Sequence, residues 1–171
     1  APYLKSVFDD NAGIIAMTKE YYCAIKVETH NSPSALDPYG GALTGIVGVN
    51  RDILGAGMGA EPIANLDVFC VGPLNAPDAL PPKLHHPRRI LEGVRLGVEH
   101  GGNKSGIPTV TGAIVHHEGF LGKPLVFAGT IGLLPADDKL VNKSIQPGDA
   151  IVMSGGRIGK DGIHGATFSS L

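Results

Sequence analysis

A short apolar run from Tyr21 to Val27 leads into a group of polar side chains, and this pattern constrains the fold more than any other segment. It predicts a β-strand over Tyr21–Thr29, in which residues two apart share one face. One face would carry an ammonium, a carboxylate and an imidazole, and this set, called the polar row, is Lys26, Glu28 and His30. The opposite face would be an anchoring, mainly apolar row made of Ile25, Val27 and Thr29.

The chemistry of the polar row matches a site that handles phosphate. An ammonium binds phosphate, a carboxylate holds a magnesium ion, and an imidazole moves a proton. The alternative is a solvated ion pair on an exposed strand, which contributes little to stability. Turn-forming residues follow, at Pro33, Pro38 and Gly40–Gly41, and they predict that the row lies beside a loop. Because functional groups are often placed on loops, this favours the functional interpretation.

The remaining chain shows a mixture of strand and helix patterns. Further strands are predicted at Ala42–Ile53, Asn65–Gly72, Pro108–Val115, Leu125–Leu134 and Asp149–Ser154, with a Pro-rich loop at Asn75–Lys83. Glycines within Ala42–Ile53, at positions 45 and 48, indicate a close approach of backbone or ligand. A helix is predicted over Pro87–Glu99, with an apolar stripe at helical spacing made of Ile90, Leu91, Val94 and Val98. Strands interleaved with a long helix predict an α/β or α+β fold.

Composition excludes several classes of protein. At 171 residues the chain is one domain, or one domain and part of a second, and it is 43% hydrophobic. The net charge of −2 gives no basic footprint for nucleic acid. No apolar stretch has the length of a membrane span, and no signal peptide precedes the first strand. Cys23 and Cys70 lie in apolar runs, which predicts buried thiols in a reducing compartment.

Three ordered blocks resemble the PurL family, the synthetase subunits of phosphoribosylformylglycinamidine synthase in purine biosynthesis. The first block is KVETHNSPSALDPYGGALTGIVGVNRDILGAGMGAEPIA, from Lys26 to Ala64. The others are GNKSGIPTVTGAI at Gly102–Ile114 and GRIGKDGIHGATFSS at Gly156–Ser170. The segment Asp10–Gly13 also resembles the part of the family that precedes the catalytic strand.

The resemblance implies an AIR-synthase-like fold, a mixed sheet with flanking helices that pairs with a partner sheet into a barrel. Residues 1–147 would form the N-terminal domain, and residues 148–171 would begin a truncated C-terminal AIR-synthase-like domain. A homodimer closed by sheet edges is expected, since an unpaired edge is a liability. The histidine motif that the family carries upstream of Asp10 is not found, so the chain is interpreted as a fragment without activity of its own. The alternative is a small stand-alone relative.

The resemblance also implies roles for individual residues. It assigns Lys26 to ATP, Glu28 to a magnesium ion and His30 to proton abstraction. Contact with the ribonucleotide falls to Thr29, His30, Asn31 and Ser32. Many relatives have a second histidine where this chain has Ser32, which cannot act as a general base at neutral pH. The proton role therefore rests on His30.

Two further groups add candidates. On the predicted strand Ala42–Ile53, Arg51 and Asp52 would point to opposite faces and serve different partners. The resemblance implies that Arg51 binds the substrate phosphate and Asp52 a second magnesium ion; the alternative is two surface residues at a strand exit. The Gly-rich segment 155–162 is not a P-loop, because Asp161 stands where that motif requires Ser or Thr. By resemblance Asp161 is a metal ligand, and the alternative is a plain Gly-rich turn.

A zinc site is not favoured by the remaining histidines. The pairs His85–His86 and His116–His117 are adjacent rather than ligand-spaced, and the two cysteines lie in separate strands. Acidic residues dominate the candidate ligands, which fits a hard cation such as magnesium. We predict that His86–Pro87 marks the start of the helix.

The reaction that the resemblance implies is ATP-dependent amidation, with ATP and Mg²⁺ as cofactors. ATP activates the formyl amide oxygen of formylglycinamide ribonucleotide (FGAR), ammonia from a glutaminase subunit or domain attacks, and phosphate leaves. A cytoplasmic location is expected. One alternative is another ATP-dependent member of the superfamily, such as the cycloligase, selenophosphate synthetase or a hydrogenase-maturation factor, which Glu28–Asn31 disfavours. The other is a non-catalytic nucleotide-binding or dimerisation module.

Overall fold

The core of the molecule is a six-stranded mixed sheet, seen in a computed structural model that describes residues 1–157 and residue 159. The strands are β1 (Leu4–Ser6), β2 (Gly13–Ala16), β3 (Tyr21–Thr29), β4 (Glu61–Val71), β5 (Thr109–His116) and β6 (Leu125–Pro135). Their order in space is β1-β2-β3-β6-β4-β5. Only the β4–β5 pair is parallel within this sheet, and the other neighbours are antiparallel.

Two long helices pack side by side on one face of the sheet. The helices are α1 (Asn31–Leu36), α2 (Pro38–Leu54), α3 (Pro87–Gly101) and α4 (Asp138–Val141), with single 3-10 turns at Asn103–Ser105 and Glu118–Phe120. The apolar stripes of α2 and α3 meet β4 and β6 in one buried cluster: Ala42, Ile46, Val49, Phe69, Val71, Ile90, Val94, Val98, Val126 and Ala128. The predicted mixed α/β fold is confirmed.

The segment Ala42–Ile53, predicted as a strand, belongs to helix α2. Asp37 caps this helix, because its side chain accepts a hydrogen bond from Gly40 N at 3.1 Å, and Pro38 begins the first turn. Its buried apolar residues recur at three- and four-residue intervals, as a helix requires: Ala42, Ile46, Val49 and Ile53. Glycines in the segment obscured this period. The prediction of a strand was therefore wrong.

Most other predicted elements are found. Strand β3 has the predicted bounds, and α3 begins at Pro87 with His86 as its N-cap, accepting from Arg88 N at 3.2 Å. The helix continues two residues beyond the predicted end. The predicted strand Asp149–Ser154 is wrong, because that segment has no regular structure and its Ile151 is fully exposed. The boundary predicted between residues 147 and 148 stays a prediction.

The sheet face opposite α2 and α3 is apolar and open. Ile25 is 40% exposed and Val27 is 49% exposed, so the apolar row of β3 does not anchor the strand as predicted. It lacks a covering layer in the part of the chain that the structure describes. Half-buried apolar side chains of the neighbouring strands continue this open face: Leu66, Val68, Phe127 and Ile131.

Cys23 and Cys70 are both free and buried, as predicted. In the described residues, none of the helices combines the length and apolarity needed to cross a bilayer.

Candidate functional site

The polar row lies on the face of β3 that packs against α2. The Lys26 Nζ atom is 3.0 Å from Oδ2 of Asp52, which α2 supplies. The Glu28 side chain leans on the same helix at Gly48, where a Cβ would lie 3.9 Å from Glu28 Oε2. The three side chains of the row therefore share one face, as the period of a strand predicts, and they meet one face of a helix.

Helix α2 can approach β3 closely because it carries glycine at the contact points. Gly45 and Gly48 face the polar row, while Gly41, on the same helix face, meets Pro33 and Ser34 of α1. A Cβ at Gly45 would lie 2.9 Å from Cβ of His30, which is closer than such atoms approach in proteins. The close approach that these glycines predict is present, between a helix and a strand.

Asp52 is 8% exposed, and its carboxylate forms ion pairs with two cationic side chains. Its Oδ2 contacts Lys26, and its Oδ1 lies 3.3 Å from Nη2 of Arg51. The prediction that Arg51 and Asp52 point to opposite faces was wrong, because successive residues of a helix differ by about 100° in direction. The Arg51 side chain remains 79% exposed, so it can also reach a ligand.

His30 continues the sheet one residue beyond β3 and keeps one ring atom free. Its backbone N–H donates to the Val126 carbonyl of β6 at 2.8 Å. Its ring Nδ1 is buried and has no hydrogen-bond partner among the described residues. Buried polar atoms without a partner are uncommon in proteins, and functional sites are one place where they occur.

Asn31 turns the chain from β3 into helix α1. Its Oδ1 accepts a hydrogen bond from Val126 N at 2.8 Å, and the Ser34 hydroxyl donates to the His30 carbonyl at 2.6 Å. The loop predicted from Pro33, Pro38 and Gly40–Gly41 is instead the helix α1 and the first turn of α2. The Asn31 side-chain oxygen is committed to β6, which leaves its amide nitrogen for a ligand. Of the other two residues predicted to contact substrate, Thr29 is exposed and Ser32 is half-buried.

Asp161 and half of the Gly-rich segment 155–162 lie outside the described residues. The remaining predicted site residues come together on β3, at the start of α1 and on α2. Sequence reasoning missed Ser34, which fixes the carbonyl of His30. A serine five residues after a strand end is a weak signal, because many serines within helices hydrogen-bond the carbonyl four residues earlier without a functional role.

The first pair of adjacent histidines lies at hydrogen-bond distance from backbone carbonyls. The Nε2 atom of His85 lies 3.0 Å from the Leu36 carbonyl oxygen, and that of His86 lies 3.1 Å from the Ala76 carbonyl oxygen. Within the described residues no three or more His, Cys, Asp or Glu side chains form a group that could hold a metal ion. A magnesium site at this position would therefore need ligands from a nucleotide, from water or from other parts of the protein.

Comparison with known proteins places this chain in a family. Residues 9–134 match the model of the AIR synthase related protein, N-terminal domain. The chain belongs to this AIR synthase family. Its matched region contains the polar row and all of α2. The region that matches the family therefore covers the part of the chain that carries the candidate site.

The similar proteins within the AIR synthase family are PurL subunits, which confirms the predicted resemblance. Phosphoribosylformylglycinamidine synthase subunit PurL of Thermoplasma acidophilum is 41% identical over 168 residues, which cover 98% of this chain and 22% of that protein. The structure of T. maritima PurL complexed with FGAR superposes with a TM-score of 0.74 and 38% identity, over 98% of this chain and 25% of that one. T. maritima PurL complexed with ADP gives 0.72 and 33%, over 98% and 26%. The chain spans about a quarter of these relatives or less.

Proposed function

We propose that this chain supplies nucleotide- and substrate-binding residues to a phosphoribosylformylglycinamidine synthase. The full protein would convert FGAR, ammonia and ATP to formylglycinamidine ribonucleotide, ADP and phosphate. The observation that carries the proposal is the meeting of the polar row with Asp52 across β3 and α2. The relatives named PurL, and the T. maritima PurL structures with FGAR and ADP, support it. Residues 1–171 alone are not expected to catalyse the amidation.

Lys26 is proposed to bind the phosphates of ATP. Its side chain is 29% exposed, and Asp52 holds its ammonium against α2. An ATP phosphate would therefore share the ammonium with a carboxylate that is already in place. Such a shared contact fixes the cation in position before the nucleotide binds, which lowers the entropy lost on binding.

Glu28 and Asp52 are proposed to hold Mg²⁺, with Asp161 as a further ligand. Glu28 leans on Gly48, which is one helical turn before Asp52, so the two carboxylates lie over neighbouring turns of one helix face. Carboxylate oxygens are the ligands that magnesium prefers. Each carboxylate oxygen of Asp52 contacts one cationic side chain, at 3.0 and 3.3 Å, so a magnesium ion would share this carboxylate with Lys26 and Arg51. A bound magnesium ion would neutralise charge on the phosphates of ATP.

His30 is proposed to take the proton from the attacking ammonia. The ladder bond to β6 and the Ser34 hydroxyl hold its backbone, so its ring has a fixed origin. Arg51 would bind the phosphate of the ribonucleotide, where a guanidinium can form two parallel hydrogen bonds. The exposed Thr29 and the amide of Asn31 would contact the same substrate, together with Ser32.

The chain is proposed to work within a larger assembly. A second copy would cover the open apolar face of the sheet as a homodimer, and a glutaminase subunit or domain would deliver ammonia. A cytoplasmic location is proposed with it, which the two free thiols favour.

Replacing the three members of the polar row in the full-length protein should separate their roles. Lys26→Ala should weaken ATP binding at least tenfold, because it removes the ammonium. Glu28→Gln should lower turnover, with partial recovery at high magnesium, because the charge that holds a hard cation is lost. His30→Ala should lower turnover by about 10²–10⁴, the usual contribution of a general base, while ATP and FGAR still bind. Steady-state kinetics and calorimetry would measure these effects.

The control is Glu20→Gln, which removes the same charge from an exposed residue outside the site. It should leave kinetics and binding unchanged. Near-normal kinetics in all three variants of the polar row would contradict the proposal and show that the row is a solvated strand face.

A further inference from the structure

Away from the polar row, a cleft of about 720 Å³ lies between helix α3 and the edge strand β5. Among the described residues, none of those proposed for catalysis, ATP, FGAR or magnesium lines it. Its walls are mainly apolar, and they include Phe69, Val98, Val110 and Ile114. Polar groups enter at Asp67, Arg95, Glu99 and Asn103. The volume falls in the range of small-molecule sites, roughly 300–1,000 Å³, which combine apolar walls with a few polar groups.

Asp67 is the most buried of the charged residues that line this cleft. It is 3% exposed, and its Oδ2 accepts a hydrogen bond from the Thr109 hydroxyl at 3.0 Å. Its Oδ1 is buried and has no partner among the described residues. Burial raises the pKa of this carboxyl to about 6, against the opposing effect of the Thr109 hydrogen bond. A buried carboxylate oxygen without a donor raises the free energy of the folded protein. A ligand group that donates a hydrogen bond to Oδ1 would therefore be stabilised by relieving this penalty.

The charge around the cleft favours a positive ligand. Arg95 is the cation among the lining residues, and its guanidinium is held by Glu92 at 2.8 Å and by Glu99 at 3.0 Å. Lys104 lies 3.8 Å from Glu99, outside the lining. Arg95 and Glu99 are paired, so Asp67 is the charged lining residue that has no ion-pair partner among the described residues. An anion would be repelled there, and a neutral apolar ligand would leave Oδ1 unpaired.

We propose that this cleft binds a small organic cation, an ammonium or amidinium carried on an apolar group. Binding would turn the Asp67 carboxyl toward the cleft so that the N–H of the ligand donates to Oδ1, and the apolar body would pack against Phe69, Val98 and Ile114. The charged head and the apolar body match the two kinds of lining that the cleft presents. This site is separate from the polar row, and it does not depend on the proposed synthase activity.

Benzylamine is a suitable probe, with benzyl alcohol and benzoate as neutral and anionic controls. In calorimetry on the full-length protein, benzylamine should bind with a Kd of about 1 mM or lower, and both controls at least tenfold more weakly. Asp67→Asn should weaken benzylamine at least tenfold, because a hydrogen bond to a charged group contributes about 1.5–3 kcal/mol. Asp78→Asn, which removes the same charge from an exposed loop residue, should bind benzylamine like the natural protein.

A second variant and a change of pH make the test independent of how Asp67→Asn folds. Ile114→Ala removes part of the wall from a residue that is 55% exposed, and it should weaken benzylamine about threefold or more while circular dichroism stays unchanged. Binding should be about tenfold weaker at pH 5 than at pH 7.5, because Asp67 takes up a proton through about pH 6. Arg95 and Glu99 are the other charged residues that line the cleft, and they form ion pairs with each other, with Glu92 and with Lys104.

The proposal is overturned if benzylamine does not bind, if benzyl alcohol binds equally well, or if Asp67→Asn keeps full affinity. A lysine or arginine from elsewhere in the polypeptide that already fills the cleft would give the first of these results. Loss of synthase activity in the variants of the polar row would leave the benzylamine result unchanged, so the two proposals fail separately.

Discussion

Two glycines of α2 sit against the polar row at different distances. A Cβ at Gly45 would lie 2.9 Å from the Cβ of His30, whereas one at Gly48 would lie 3.9 Å from the Glu28 carboxylate. The first position has no room for a methyl group, and the second has room for one. The two residues are three apart on one helix face, so they share a helical environment and differ mainly in this contact.

The two glycines should therefore respond oppositely to alanine. Gly48→Ala should stabilise the protein by about 0.5–1 kcal/mol, because alanine favours a helix over glycine. Gly45→Ala should destabilise it by about 1 kcal/mol or more, because overpacking outweighs that gain. Urea unfolding of both variants measures the difference. Equal stabilisation by both substitutions would contradict the close contact between α2 and His30.

For single residues, the sequence predicts the direction of side chains on a strand better than the direction of side chains on a helix. The shared face of Lys26, Glu28 and His30 follows from the two-residue period, and the structure agrees. The direction of Arg51 was predicted wrongly, because it depended on assigning a strand to a helical segment. Asp67 gave no signal, since one aspartate in an apolar run does not reveal whether a donor lies opposite it in the fold.

A buried hydrogen-bond network connects both long helices to the sheet. Asn65 on β4 donates to the Thr130 hydroxyl on β6 at 2.7 Å, and this hydroxyl donates to Oδ1 of Asn50 on α2 at 2.7 Å. Asn50 in turn donates to the Gly101 carbonyl of α3 at 3.3 Å. Thr130 pairs with Lys26 across β3 and β6, so the network lies one strand away from the polar row.

Thr130→Val should remove the centre of this network while keeping the shape of the side chain. The free energy of unfolding should fall by about 1–3 kcal/mol, because Asn50 and Asn65 lose a partner in a buried site. Thr111→Val changes the same atoms at an exposed position of β5 and should cost less than about 0.5 kcal/mol. Denaturant unfolding compares the two, and equal effects would show that the network does not stabilise the fold.

The elements that the sequence predicts correctly are those with a clear period and clear ends. Strand β3 and helix α3 have both, since α3 begins at His86–Pro87 and carries an apolar stripe. Helix α2 mixes apolar residues with glycine, and such a run fits either period until its cap at Asp37 is recognised. Strands β1 and β2 have three and four residues, too few for an alternating pattern to stand out.

The whole molecule leaves one face of its sheet without a covering layer among the described residues. Such a face of apolar side chains commonly marks an interface with another protein surface. The proposed homodimer would bury it, either by packing two sheets together or by pairing their edges. The position of Val27, 49% exposed at the centre of this face, allows the proposal to be tested.

Val27→Glu should dissociate the dimer, because it would bury an unpaired charge in the interface. Val47→Glu is a matched control, since Val47 is 48% exposed on helix α2, on the other side of the sheet. Light scattering at micromolar concentration should give a dimer for the natural chain and for Val47→Glu, and a monomer for Val27→Glu. Circular dichroism should show the same fold in all three. A natural chain that is monomeric at this concentration would count against the homodimer.

Strand β6, the last strand among the described residues, lies in the middle of the sheet, between β3 and β4. Tyr21–Thr29 pairs with a strand that is made roughly one hundred residues later, at Leu125–Pro135. At a synthesis rate of about 5–20 residues per second, the wait is about 5–20 s. During that time the strand that carries the polar row has no neighbour on one side, so the nascent chain presents an unpaired edge on the ribosome. The synthesis of β6 therefore sets the earliest time at which β1–β3 and β4–β5 can join into one sheet.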